Sequence, residues 1–362
     1  MKPARWWTLF PVLLLVLGGT ACDDDSPVGD CDLGGLDPAA VVDAVNGLFT
    51  PLDASDDALA NLAVAIDHVQ DAGVQFRRLA PTNGPGAAAM IDRVAGVAPA
   101  LTTPLPVEFP PEVAGSTFAY DPAVFGWVVD ESRTDAPENG VRIIWYPMED
   151  TEVDFALGES GYIDLTPGPD TTLNQLRMEV VRVDGEETRL LDFTQGYRET
   201  TGGSVETTYM EAVGSFADST GQVTFSIVTD ESSNADTGAS EYSVEAEVER
   251  GTTLYTITAG GAVDGETDAF EDSFDVTLTR DAVTTNVELV VAGSGQTRED
   301  ATGTLLHDGE VVAGIVLSGN TYVFTDVDGD QCSPGQSTAL NDALTVMLLR
   351  GLFLTLDLPL LL

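Results

Sequence analysis

Asp326-Val327-Asp328-Gly329-Asp330 is the stretch of this sequence with the most chemistry to offer. Carboxylates at Asp326, Asp328 and Asp330 can converge on a hard cation such as Ca2+. An EF-hand loop would need Gly where Gln331 stands and an acid near Ser337, so the competing reading is an acidic turn leading to Cys332. Only two histidines are present, His68 and His307. His68 follows Leu59 by nine positions, about 180° around a helix, which sets it opposite an apolar stripe and in solvent. His307 adjoins Asp308-Gly309, a turn sequence, and is expected to be exposed. No Gly-x-Ser-x-Gly elbow, His-Glu-x-x-His or Cys-x-x-Cys occurs, and Gly293-Ser294-Gly295 lacks the lysine of a phosphate loop. Trp127, Trp145 and Tyr146 can line a pocket or fill a core. The sequence therefore names no catalytic residue and reads as a non-enzyme, with Ca2+ as the one cofactor it offers.

The first 21 residues have the layout of a secretory signal. Lys2 and Arg5 provide the positive start, Leu9 to Leu17 the apolar run, and Gly18-Gly19-Thr20-Ala21 the small residues before Cys22. This segment resembles the lipobox of bacterial lipoproteins, although Gly19 stands where that motif usually has Leu. The resemblance covers residues 1–22 alone. It implies cleavage before Cys22, diacylation (palmitate or a similar chain) of that cysteine, and a domain outside the cytoplasm, tethered to an inner or outer membrane of the cell envelope. Two further cysteines, Cys31 and Cys332, then remain in an oxidising compartment. They are expected to form a disulfide; the alternative is a pair of free thiols.

The chain has 362 residues, 60 Asp+Glu against 15 Lys+Arg, and a net charge of −45. With 43% hydrophobic residues it has the material for a packed core. Binding to nucleic acid is excluded, because that requires a basic footprint. Adsorption to anionic lipid through basic residues fails for the same reason. Lys2 is the sole lysine, so every cation after the signal is arginine. Acidic surfaces repel one another and keep a protein soluble, at some cost to compactness at low salt.

The elements that must position these residues follow from periodicity. Residues 22–36 form an acidic tether that begins Asp23-Asp24-Asp25. A helical segment spans 37–98. Asp37-Pro38 opens a first helix to about Phe49, and Ser55 with Asp56 and Asp57 opens a second whose apolar residues Leu59, Leu62, Ala63, Ile66 and Val69 share one face up to Gly73. A shorter helix is expected over Ala87 to Val94. Residues 99–115 are a proline-rich connector.

From 116 to 332 the period falls to two. Tyr242, Val244, Ala246 and Val248 alternate with Ser243, Glu245, Glu247 and Glu249, and those glutamates read as a solvated sheet face. Phe274, Val276 and Leu278, then Val287, Leu289 and Val291, then Val311, Ala313, Ile315 and Leu317, repeat the alternation. Asp184-Gly185 and Asp308-Gly309 suit tight hairpins, with Arg250-Gly251 and Ser318-Gly319-Asn320 similar. Such short links predict an antiparallel meander of a dozen or more strands. Residues 333–362 read as a helix from Ser333-Pro334 to Arg350, closed by Gly351, then a strand over Leu354 to Leu360. A transmembrane reading of 343–362 is opposed by Arg350, Asp357 and Pro359.

The fold class this predicts is α+β: N-terminal helices, a long antiparallel meander curled into a half-barrel or barrel, and a C-terminal helix plus strand, with 37–362 as one unit. That layout resembles periplasmic lipoprotein-carrier and lipid-carrier folds in architecture only. Two functions follow. The first is a non-enzymatic binding module for a hydrophobic small molecule or lipid. The alternative is a structural or interaction lipoprotein with a filled core, meeting a protein or surface polymer. A continuous apolar cavity of several hundred Å3 separates them.

Overall fold

The computed structural model describes residues 31–53, 61, 64, 109, 111 and 113–352, apart from 150, 151, 171, 295, 296, 319 and 320. The signal, Cys22, most of the tether, His68, the expected helix over 87–94, most of the connector and the expected final strand lie outside the described residues, as does the second helix except for Asn61 and Val64.

Among the described residues the first element is α1 (Pro38–Asp53), and Asp37 caps it by accepting from the amides of Ala39 (3.0 Å) and Ala40 (3.4 Å). Seventeen strands follow among the described residues. They are β1 (Ser116–Asp121), β2 (Gly126–Val129), β3 (Val141–Trp145), β4 (Met148–Glu149), β5 (Glu152–Val153), β6 (Gly161–Pro167), β7 (Asn174–Asp184), β8 (Glu186–Gly202) and β9 (Val205–Asp218). Then come β10 (Gly221–Asn234), β11 (Ser240–Arg250), β12 (Thr253–Val263), β13 (Ala269–Arg280), β14 (Val283–Ser294), β15 (Thr297–His307), β16 (Glu310–Ser318) and β17 (Thr321–Thr325). A 3-10 turn, Phe155–Leu157, separates β5 from β6, and α2 (Pro334–Leu352) closes the described chain.

The fold is mostly β, which corrects the α+β expectation. Fifteen strands form one sheet in the order β17 back through β6, then β3, β1 and β2, while β4 and β5 pair separately. The sheet is mixed, because β1 pairs parallel with β3. The reason is the link from Val129 to Val141. It is long enough to carry the chain back across β1, whereas a tight turn enforces antiparallel pairing. Among the described residues the terminal strands β17 and β2 do not pair with each other, so the expected closure into a barrel is not found. Alternation specifies which face each residue takes; it carries no information on whether the first and last strands meet. Two α-helices are present among the described residues, one at either end.

The described residues form two compact units. One comprises 31–48, 202–207 and 229–352; the other comprises 49–201 and 208–228. In the first, β11 to β17 are consecutive antiparallel partners. Val244, Ala246 and Val248 are buried there, while Glu245, Glu247 and Glu249 are exposed, as alternation requires. On the buried face, Leu340, Ala343, Leu344, Met347 and Leu348 of α2 repeat at helical spacing and are all buried. Tyr255, fully buried, donates its hydroxyl to the Met347 carbonyl at 2.6 Å and so ties α2 to β12. Arg250 donates to the Gly47 carbonyl and does the same for α1 and β11.

Hairpin chemistry explains most of the turns. Asp308 (φ +52°) and Gly309 (φ +82°) make the two-residue loop between β15 and β16 that their types favour. Asp281 (φ +51°) and Ala282 (φ +69°) form the same kind of loop between β13 and β14, with alanine in a position that suits glycine. Ala282→Gly should raise the unfolding free energy by about 0.5–1 kcal/mol, read from urea midpoints at unchanged slope. No gain would mean that the loop carries no strain.

In the second unit, charge is paired across strands. Arg142 on β3 meets Asp164 on β6 at 2.7 Å, and Arg177 on β7 meets Asp192 on β8 at 2.8 Å. Trp127, Trp145 and Tyr146 are buried. The Trp127 ring N–H donates to the Ile144 carbonyl, Tyr120 meets Trp127 edge-on, and Phe155 stacks on Tyr120 at 3.8 Å. These aromatics belong to the core.

Candidate functional site

Sequence reasoning passed over the most unusual polar group of the first unit. Residues 270, 272, 274, 276 and 278 of β13 all face inward, and the second of them is Asp272, only 2% exposed between Phe270 and Phe274. Pairing sets Tyr242 of β11, Gly261 of β12, Asp272 and Val291 of β14 side by side. Because Gly261 has no side chain, the Tyr242 hydroxyl reaches over it and donates to Asp272 Oδ1 at 3.0 Å. A Cβ at Gly261 would stand 2.0 Å from that oxygen, so the glycine is required by the close approach. No arginine pairs with Asp272 among the described residues. Burial pushes its carboxyl up to about 6, and the hydrogen bond from Tyr242 pulls the other way without overcoming burial. Burial, then the neighbouring carboxylate, raises the Tyr242 hydroxyl in turn. The pair is a proton-sensitive contact inside the sheet's packed face.

Beside the edge strand β17 this unit is clasped. Cys31 and Cys332 are joined, with Cα atoms 5.1 Å apart, as the sequence led one to expect. Gln336, in the first turn of α2, reinforces the link. Its Oε1 accepts from the Cys31 amide at 2.8 Å and its Nε2 donates to the Cys31 carbonyl at 2.9 Å. The side chain thus imitates a strand partner for one residue.

Asp326, Asp328 and Asp330 sit between β17 and this clasp. One oxygen of Asp326 accepts from the amides of Asp328 (3.0 Å) and Asp330 (2.9 Å), and the Asp326 amide donates to the Asp330 carbonyl at 2.8 Å. What the geometry builds is an acidic turn in which one Asp326 oxygen is taken by backbone amides. Among the described residues no group of three or more His, Cys, Asp or Glu is placed to hold a metal ion. Asp330 also lines an open, polar groove of about 350 Å3 with Thr325, Ser318 and Val316.

No family model, curated protein or solved structure matches this chain. Function must therefore be argued from its own geometry. His307 is half-buried rather than exposed, with Nδ1 at 3.3 Å from the Thr285 hydroxyl. Thr285 lies beside the interior void of the unit, which is bounded by Leu36, Val41, Val287, Ile315, Phe324 and Leu344 among others. Its volume is about 10 Å3, room for at most about one water molecule. The helices and sheet fill the space between them.

Two of these features had traces in the sequence. Asp272 becomes visible when the alternation of Phe274, Val276 and Leu278 is continued two residues back. Gln336 had no trace, since nothing local relates it to a cysteine some three hundred residues earlier.

Proposed function

We propose that this chain is a lipid-anchored protein of the bacterial cell envelope that acts through its surface, as a structural or interaction lipoprotein. The observation that carries the reading is the filled interior of the first unit among the described residues. A carrier of acyl chains or apolar small molecules needs a void of several hundred Å3, and α1, α2 and the buried face of β14 to β17 leave about 10 Å3. The buried side chains of Phe324, Leu344 and Met347 line what space remains. The lipid anchor rests on the lipobox resemblance at Cys22. No helix among the described residues is long and apolar enough to cross a membrane. Attachment through acyl chains at Cys22 supplies the hold that the strongly acidic surface cannot gain from anionic headgroups.

Two measurements test the two halves. In a bacterial host fed radiolabelled palmitate, the wild-type chain should take up label and Cys22→Ala should not; equal labelling would end the anchor. Native mass spectrometry of the Cys22→Ala chain should give the bare polypeptide mass. A stoichiometric lipid or apolar molecule released on denaturation would establish the carrier reading in its place.

A further inference from the structure

The hairpin that ends the sheet carries a strained residue in its loop. Phe125, in the loop between β1 and β2, holds a φ of +53°, in the left-handed region that bulky side chains avoid. The strained residue is also an aromatic left 74% exposed, next to Val124 at 61%. Strand β2 is the last of the sheet, and no strand lies beyond it among the described residues. Asp130 donates its amide to the Thr117 carbonyl, and pairing alternates along an antiparallel ladder, so the peptide groups of Val129 face away from β1. Val128 and Val129 are 38% and 44% exposed. The stack of Phe155 on Tyr120 holds the 3-10 turn against this hairpin, with Leu157 at its exposed end.

Edges of sheets are ordinarily blunted by shortness, lysine, proline or a bulge; β2 is short, at four residues, and carries no lysine, proline or bulge. What flanks it is negative. Asp121 and Asp130 bracket the segment and exposed Glu131 follows, while Arg133 is the cation at hand, bonded to Asp130 and Glu159. At a net charge of −45, a second copy of the chain is repelled from this edge, and a cationic strand is attracted to it.

We propose that β2 is an acceptor edge for an extended segment of a partner protein, apolar at alternate positions and carrying lysine or arginine at its ends, with Phe125 as the anchoring side chain. This rests on the reading of a surface-acting protein and names its partner class. The two fail separately, because a retained apolar ligand would overturn the carrier-free interior without altering what binds at β2.

The test uses the full chain in mild detergent and a capped synthetic peptide, Lys-Thr-Val-Thr-Val-Thr-Lys. Hydrogen–deuterium exchange should show slowed exchange over residues 126–130 when the peptide is added. The same peptide with a central proline, or with glutamate in place of both lysines, should give no slowing. Phe125→Gly relieves the strained φ, so its melting temperature should hold or rise while its affinity for the peptide falls at least tenfold. Slowed exchange confined to β17, undiminished affinity in Phe125→Gly, or equal binding of the glutamate peptide would each overturn the proposal. So would sedimentation as a dimer whose contact protects β2, which would make a second copy the occupant.

Discussion

Asp272→Asn should be more stable than the wild type above pH 7 and nearly equal to it at pH 4. The folded protein holds the Asp272 carboxyl up at about 6 against an ordinary value of 3.8, because the group is buried between Phe270 and Phe274 without a countercharge. Between those values the folded state carries a proton that the unfolded chain has released. Stability from this group is therefore full below about pH 4 and declines as pH rises through 6, with nothing further lost beyond. The shift corresponds to about 3 kcal/mol at its plateau. Asparagine has no charge to desolvate, and its Oδ1 still accepts from Tyr242. The measurement is urea unfolding of both proteins across pH 4 to 8. The difference in unfolding free energy should grow by about 2–3 kcal/mol over that range, and parallel curves would show that Asp272 is not the titrating group. Tyr242→Phe should act in the opposite sense, since it removes the donor that favours the charged carboxylate. Its loss of stability should be largest at pH 8.

That pair marks where sequence reading reached and where it stopped. Inward and outward faces of the strands were legible because alternation is a local property. Tyr242 to Glu249 is buried and exposed residue by residue as its pattern demands. Helix starts were legible for the same reason: Asp37-Pro38 and Ser333-Pro334 are local cues, and helices begin at Pro38 and Pro334, although they run on to Asp53 and Leu352, past the expected ends near Phe49 and Arg350. Strand order was not. The parallel partnership of β1 with β3 depends on the path of residues 130–140, where no periodicity operates. Openness of the sheet depends on twist accumulated over fifteen strands, to which each contributes a little and none decisively. The hairpin loop at Asp281-Ala282 was missed because its second residue lacks the glycine or asparagine that announces positive φ. Asp272 was missed through stopping the pattern at Phe274, at the point where a charge broke its hydrophobic rule. A carboxylate in an inward register position is the kind of local conflict that marks a strained or working residue.

Reducing the Cys31–Cys332 bridge should produce the largest loss of stability available from a single covalent change. The bond closes a loop with a sequence separation of 301, so it encloses α1 and every strand, and it stops at the threshold of α2. In the unfolded chain such closure removes conformational freedom equivalent to about 5 kcal/mol, an upper figure because the entropy grows only with the logarithm of loop length and residual structure consumes part of it. The folded state loses little else. Gln336 still holds both backbone groups of Cys31, and Leu36 and Val41 stay packed against Leu344 and Phe324. The reduced protein should therefore keep its sheet at room temperature while its urea midpoint falls steeply, and Cys31→Ser with Cys332→Ser should match it. Removing Gln336 as well, by Gln336→Ala, should cost far more in the double serine variant than in the oxidised protein, because clasp and bridge do the same work. Alkylation under denaturing conditions without reductant decides the premise. Neither Cys31 nor Cys332 should gain mass, and modification of both would remove the bridge from the protein as it is made.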